Sequence, residues 1–589
     1  MILKRIFKSL TSKQKQEFLS IHLVCTVTSF LELLSISLVG PYISLILNDN
    51  PESFIRNYAI FFFGDSNTSF YFGAFLIFLI LFSSLVSIFN TYNLAIFSAK
   101  TGARLSNRLL QYYGNRDYLF YIQTNSSAIV KNLTTECIRF SDLVLNPIVQ
   151  MNSKIILSFV LLTFLLLYDF KLTLFFILFI TFVYTLIYLF VRGPLAKNGL
   201  ELTDSIKQRF SIIHEFFAGI KEILFFKKQD YFIESYQVFG NAYYNSRGKN
   251  HALSLIPRNI VEFSIYTLII VSALVLLRTE NIILVDKLLV FVLISLKLLP
   301  ALQQVYTNYL QVKGNISCFD VLEKELLNSI NFDEKKDFSN DIANDNLGFK
   351  SLSISNLSFT YPKKSLSSLD KINLEINFND SIGIVGSSGS GKSTLVNIIL
   401  GMLEPDNLDS ISLHCASDIS ILDRSKLFGY VPQQIYLRDA SIIDNIAFGI
   451  PKTEINMDSI ERSIKLANLL ELVNSLSDGL NTKVGERGIQ LSGGQIQRIG
   501  IARALYFDPE ILIFDEATSA LDGASEKEIH NAINQLADDK TIIIVAHRLN
   551  TVKKCNKIYV LDSGKVIQSG SYEEISSKEG PFRSMLLEN

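Results

Sequence analysis

The chemistry of this chain begins at Gly386-Ser387-Ser388-Gly389-Ser390-Gly391-Lys392-Ser393, followed by Thr394. The G-x-x-x-x-G-K-S spacing is that of a P-loop. Its glycines let successive backbone N–H groups turn onto a phosphate, and the helix that follows adds its positive N-terminal end. Lys392 supplies a point charge for the outer phosphates, and the Ser393 hydroxyl can ligate Mg²⁺. A second centre is Asp515-Glu516, two carboxylates that end the apolar run Ile511-Leu512-Ile513-Phe514. Asp515 suits Mg²⁺, and Glu516 suits a general base for water attacking a γ-phosphate. A third is Leu491-Ser492-Gly493-Gly494-Gln495, which opens a helical run and offers another anion site of N–H groups. Two such devices are hard to satisfy on one γ-phosphate unless two copies face each other. Tyr361, upstream of the P-loop, has the ring to stack on a purine, worth about 1–3 kcal/mol per base.

These residues need rigid carriers. Ile382-Gly383-Ile384-Val385 and Ile511-Leu512-Ile513-Phe514 have the continuous apolar character of buried parallel strands, and 394–400 has that of a helix. The region 350–589 is therefore expected to be an α/β P-loop ATPase domain. The rest of the chain is of another kind. Of 589 residues, 49% are hydrophobic and only 19% charged, with 44 Phe and no Trp. Mean hydropathy is +0.29. The net charge of −1 gives no basic field for nucleic acid. Five scattered cysteines show no metal-ligand spacing and are expected to be free thiols.

Six runs are long enough to cross a bilayer, which takes about 20 residues each: 18–47, 70–92, 143–168, 172–191, 253–277 and 285–306. Asp169-Phe170-Lys171 can only be a tight turn. The two long connections, by contrast, carry an excess of Lys and Arg, which places them and both termini on the cytoplasmic side. The basic N-terminus is expected to lie as an interfacial helix, and residues 53–63 outside are compatible with a short amphipathic helix or an ordinary loop. The expected layout is a six-span α-helical transmembrane domain over 1–327, a polar linker over 328–349, and the ATPase domain.

Charge at bilayer depth is costly, so polar groups inside the spans stand out. Glu32 lies in span one, Arg258 and Glu262 one turn apart in span five, and Lys297 in span six. Arg258 and Glu262 can pair within one helix or line a cavity. Glu32 and Lys297, with no charged neighbour in sequence, favour the cavity.

With these residues in view, the chain resembles an ATP-binding cassette (ABC) transporter, an exporter-type half-transporter with its membrane domain ahead of its ATPase. The resemblance makes 386–393 the Walker A motif, 491–495 the signature, Asp515 the Walker B aspartate and Glu516 the catalytic glutamate. It adds Gln433 as the Q-loop glutamine at the metal, Asp522 in the D-loop and His547 as the switch histidine, and it makes Tyr361 the adenine-stacking ring. It implies ATP and Mg²⁺ as cofactors, a homodimer with each ATP held between two copies, and alternating access. Turns near 115–123 and 216–225 would transmit the motion.

The membrane half also resembles the flippases of lipid-linked oligosaccharides from bacterial protein glycosylation. The similar stretches are Ser29-Phe30-Leu31-Glu32, Ile36-Ser37-Leu38-Val39 with Pro41, Pro257-Arg258 with Glu262, and Lys297 ahead of Pro300. It departs at Lys297, where that group carries arginine, and near Val86, which lacks a basic residue. The resemblance implies an amphipathic substrate carrying a pyrophosphate, moved across a bacterial inner membrane. An exporter of lipid, peptide or drug-like molecules, and an ATP-gated channel, remain as alternatives.

Overall fold

The computed structural model describes residues 2–47, 68–276, 282–330, 348–416 (without 363 and 365), 424–485, 491–516, 523–537, 539–546 and 548–588. The expected external segment 53–63 and most of the expected linker lie outside the described residues. Backbone contacts divide the chain into two units, Met1–Arg116 with Thr124–Lys336, and Asp117–Gln123 with Asp337–Asn589.

The first unit is helical. Its longest members are Thr68–Gly114, Phe170–Ala218 and Gln229–Leu276, of 47, 49 and 48 residues. At 1.5 Å per residue each is about 70 Å long, more than twice the ~30 Å of a bilayer's hydrocarbon. The tight turn is where the sequence places it. The helix Asn146–Tyr168 ends, and the Asp169 carboxylate accepts the Leu172 N–H at 3.1 Å to start Phe170–Ala218. Among the described residues five helices are long and apolar enough to cross a membrane: Ser12–Ile43, Thr68–Gly114, Ala128–Tyr168, Phe170–Ala218 and Val290–Asn315. The expected fifth span falls on Gln229–Leu276, which is not one of those five. Leu161, Leu165, Ile294 and Leu298 are fully buried where two of these helices cross. Ile77, Phe78, Leu85 and Phe89 stay exposed on the outer face of Thr68–Gly114, a stripe suited to lipid. Short helices Tyr118–Gln123 and Ile220–Phe225 sit at the two expected cytoplasmic turns.

The N-terminal helix Ile2–Ser9 is held by protein rather than by an interface alone. Ile6 and Leu10 are buried. Arg5 donates to Glu323 at 3.0 Å and to Asp320 at 2.6 Å, and lies over the Phe319 ring, all on the helix Ser317–Ile330. These hydrogen bonds raise the pKa of Arg5 and hold the Glu323 carboxyl below its ordinary value.

The second unit holds two sheets. β1 (Phe349–Phe359), β2 (Leu369–Asn377) and β4 (Ile411–Cys415) form an antiparallel sheet in the order β2-β1-β4. The larger sheet runs β5 (Phe428–Val431), β6 (Ile511–Asp515), β7 (Thr541–Ala546), β3 (Ser381–Gly386), β8 (Lys557–Asp562) and β9 (Lys565–Gly570). Only β9 is antiparallel to its neighbour. β6 and β7 are buried along their whole length because both faces are covered. Leu512, Phe514, Ile542 and Ile544 enter one core, and Ile511, Ile513, Ile543 and Val545 the other, as the two-residue period of a strand requires.

Candidate functional site

The P-loop follows from its glycines. A Cβ on Gly386 would collide with the carbonyl oxygen of Leu561 in β8 and lie 2.7 Å from Ser390 Oγ. Gly391 sits at φ +104°, and a Cβ there would lie 2.8 Å from Ser368 O. Gly389, at φ +82°, is equally out of reach of most side chains. The chain therefore turns tightly from β3 into the helix Lys392–Ile399. Ser387 and Ser388 are exposed at the tip, whereas the Ser390 hydroxyl is buried and has no hydrogen-bond partner among the described residues. Lys392 donates to the carbonyls of Gly386 at 2.9 Å and Ser387 at 3.0 Å. Burial lowers its pKa, and the charges of Glu516 and Asp515 oppose that. Ser393 is exposed in the helix's first turn. Thr394 Oγ1 lies 3.3 Å from the hydroxyl of Tyr361, whose ring packs edge-on against Phe359 at 4.9 Å.

Asp515 closes β6 nearly buried, and the Tyr430 hydroxyl donates to it at 3.3 Å. Glu516 leaves the strand at φ +51°, a left-handed conformation that costs a non-glycine residue about 1–3 kcal/mol and gathers at functional sites. Its N–H is held by Val545 O at 3.0 Å, and Gln433 Nε2 donates to its carboxylate at 2.6 Å. Gln433 and Glu516, far apart in sequence, are thus brought together. His547 follows β7 directly but, like Asp522, lies outside the described residues.

Leu491-Ser492-Gly493-Gly494-Gln495 is resolved as a helix start with a capping box. Gln495 Oε1 accepts the Ser492 N–H at 2.8 Å, and Ser492 Oγ accepts the Gln495 N–H at 3.3 Å. Farther along that helix Arg503 donates to Asn445 O at 2.8 Å and Tyr436 O at 2.9 Å. The segment Thr482-Lys483-Val484 is pinned to the same region, with Val484 N–H on Ala440 O at 3.1 Å. The loop after Gln433 and the signature helix are one fastened piece. Tyr430 and Asn445 went unremarked in the sequence because their roles need the partners in space.

These residues suit a magnesium nucleotide. They include a tight loop that admits no Cβ at Gly386 or Gly391, an orphaned buried hydroxyl at Ser390, a cation, an exposed hydroxyl at Ser393 and the Asp515 carboxylate.

Two cavities among the described residues of the helical unit share Glu32, Ser87 and Thr91. One, of about 680 Å³, is lined by apolar side chains such as Ile36, Val39, Ile80 and Ile88, with Ser83, Ser84 and Lys297 among them. The other, of about 250 Å³, is lined by Ser29, Asn90, Gln150, Ser153, Lys154 and Gln304 among others. Lys297 Nζ lies 3.8 Å from Glu32 Oε2, so the two charges the sequence treats separately form one ion pair. Lys154, which sequence reading passed over, faces the smaller cavity and makes no ion pair among the described residues. Asn152-Ser153-Lys154, a polar triplet inside an apolar run, was its signal. Ser158, one turn on, has a buried hydroxyl without a partner among the described residues. Glu262 lines neither of these cavities, and the side chain of Arg258 lies outside what is described.

The family described as "ABC transporter transmembrane region" matches residues 18–301, and that described as "ABC transporter" matches 369–519. An "ATP-dependent lipid A-core flippase" of Pseudoalteromonas translucida is 43% identical over 239 residues, 40% of this chain and 40% of that protein. A "Sophorolipid transporter" of Starmerella bombicola is 38% identical over 244 residues, 40% of this chain and 19% of that protein. The chain thus spans less than half the length of these relatives in the stretches that match. A solved "bacterial Atm1-family ABC exporter with ATP bound" shares the fold, with a TM-score of 0.73 at 20% identity over 98% of both chains. A transmembrane-region family and an ATPase family, matched in that order on one polypeptide, make the chain an exporter-type half-transporter that belongs to the ABC transporters.

Proposed function

We propose that the chain hydrolyses ATP as a homodimer and uses it to flip an amphipathic lipid, a lipid-linked oligosaccharide, across a bacterial inner membrane. In this reading six spans cross the membrane and both termini and the ATPase domain are cytoplasmic. Lys392 and the loop N–H groups hold the phosphates, while Ser393, Asp515 and Gln433 hold Mg²⁺, which neutralises charge on them. Glu516 takes the proton of the attacking water, and Gln433, its hydrogen-bond partner, orients it. His547 contacts the γ-phosphate, Tyr361 stacks on the base, and Leu491-Ser492-Gly493-Gly494-Gln495 with Asp522 of the second copy close the site.

One observation carries the substrate reading: cavities bearing Glu32, Lys297 and Lys154 lie among helices apolar enough to span a membrane. A charge persists at that depth only beside a partner or water. Glu32 and Lys297 have each other, which leaves Lys154 as the cation for an anionic head group, with Gln150, Gln304 and Ser153 around it for sugar-like hydroxyls. The larger cavity takes the apolar remainder. Relatives named for lipid A-core and sophorolipid support a lipid cargo.

The test is the purified chain in liposomes with a polyprenyl-pyrophosphate glycan. Hydrolysis should rise with the glycan lipid, labelled glycan should change leaflets only with ATP, and Lys154→Gln should lose most of that stimulation. Stimulation by peptides or drugs but not by the glycan lipid would overturn the assignment.

A further inference from the structure

Tyr430 is the penultimate residue of β5, three residues before Gln433, and stands opposite Ile513 in β6. Its hydroxyl reaches across to the Asp515 carboxylate at 3.3 Å, while its ring packs against the core formed by Phe428, Ile511 and Ile513. The short helix Tyr118–Gln123 belongs by its contacts to this same unit, although it is cut out of the helical half of the chain. Leu119 packs on the same core as Tyr430. Tyr118 opens that helix and directly precedes Leu119.

We propose that Tyr430 is a positioning residue that orients Asp515 for its divalent cation and makes that orientation depend on the turn Tyr118–Gln123. This rests on the reading of the site as one for a magnesium nucleotide. A carboxylate can turn about its last bond, and one donated hydrogen bond limits which oxygen it offers to a metal. A phenol fixed in the core supplies that bond only while the ring keeps its place. The turn shares the ring's surroundings, so a displacement of Leu119 shifts the phenol before it shifts the strand. The membrane half is thereby given a handle on Asp515 that bypasses the loop at Gln433.

Tyr430→Phe keeps the ring and removes only the hydroxyl. Mn²⁺ binding to the full chain in nanodiscs, followed by electron paramagnetic resonance with a non-hydrolysable ATP analogue, reads the metal site without turnover. The dissociation constant for Mn²⁺ should rise about three- to tenfold in Tyr430→Phe, the range for losing one such hydrogen bond. Affinity for the analogue without metal should change less than twofold. Leu119→Ala should weaken Mn²⁺ binding when Tyr430 is present and have no further effect in Tyr430→Phe. A Mn²⁺ curve for Tyr430→Phe that overlays the wild type overturns the proposal, and so do additive effects of the two substitutions. Absence of nucleotide-dependent Mn²⁺ binding in the wild type would instead remove the nucleotide reading itself.

Discussion

The P-loop and the membrane-half cavities both hold charge away from water, and they do so by different means. Lys392 finds its partners in the loop it ends, the carbonyls of Gly386 and Ser387. Glu32 and Lys297 come from the first and last helices that form the cavity and meet only after the bundle has assembled. In the first case backbone shape provides the site, so geometry should be sensitive to a single methyl group. In the second, side chains on separate helices provide it, so charge balance should matter more than shape.

The largest effect should come from Glu516→Gln, which keeps size and the partnership with Gln433 but removes the base. Turnover should fall by about 10²–10⁴-fold with ATP binding retained. Steady-state hydrolysis and equilibrium binding, measured separately, check this, and near-normal turnover would reject the role. Next is Gly386→Ala. Its methyl has no room beside Leu561 O, and overpacking costs about 1–3 kcal/mol, so nucleotide affinity should drop roughly 5- to 100-fold. Unchanged affinity would mean that the loop is softer than its contacts suggest.

The cavity half of the comparison predicts a change of opposite sign. Glu32→Gln removes the partner of Lys297, 3.8 Å away. The freed cation should strengthen apparent affinity for an anionic lipid, about two- to fivefold, as seen in substrate-stimulated hydrolysis. Weakening, of the kind expected for Lys154→Gln, would show that Glu32 serves the substrate directly. The smallest effect concerns His530, on the helix Gly523–Leu536, 3.8 Å from Glu526. Burial lowers its pKa below 6.5, although Glu526 opposes this. The unfolded chain therefore takes the proton first, and stability declines as pH falls from about 6.5 through the lowered value. Thermal unfolding at pH 7.5 and 5.5 should show that decline, and His530→Gln should flatten it.

The same contrast explains what could be read in advance. Gly386, Lys392, Ser393, Asp515 and Glu516 were legible because each role follows from neighbours in sequence within a strand–loop–helix unit. The turn at Asp169 was legible because two apolar runs allow nothing longer. The Glu32–Lys297 pair was not, since helix rotation decides whether two distant charges meet. Lys154 was missed because one lysine hardly dents a window of apolar residues, and only a cavity shows that it faces inward. Tyr430 resembles any core aromatic until Asp515 stands beside it. Gln495 is a further case. It completes the signature in the sequence, yet in the structure its side chain is spent capping the Ser492 N–H.

The clamp of Arg5 on Asp320 and Glu323 has a consequence for how the chain is made. The hydrogen bond to Asp320 joins residues separated by 315 positions. At about 5–20 residues per second, the partners of Arg5 leave the ribosome roughly 15–60 s after it. For that interval the first helix is a greasy, cationic segment without its acidic partners, while the intervening helices enter the membrane. Anchorage of the N-terminus is thus among the last steps of assembling the helical half, and a ribosome that stalls before residue 320 leaves a chain whose first turn was never fastened.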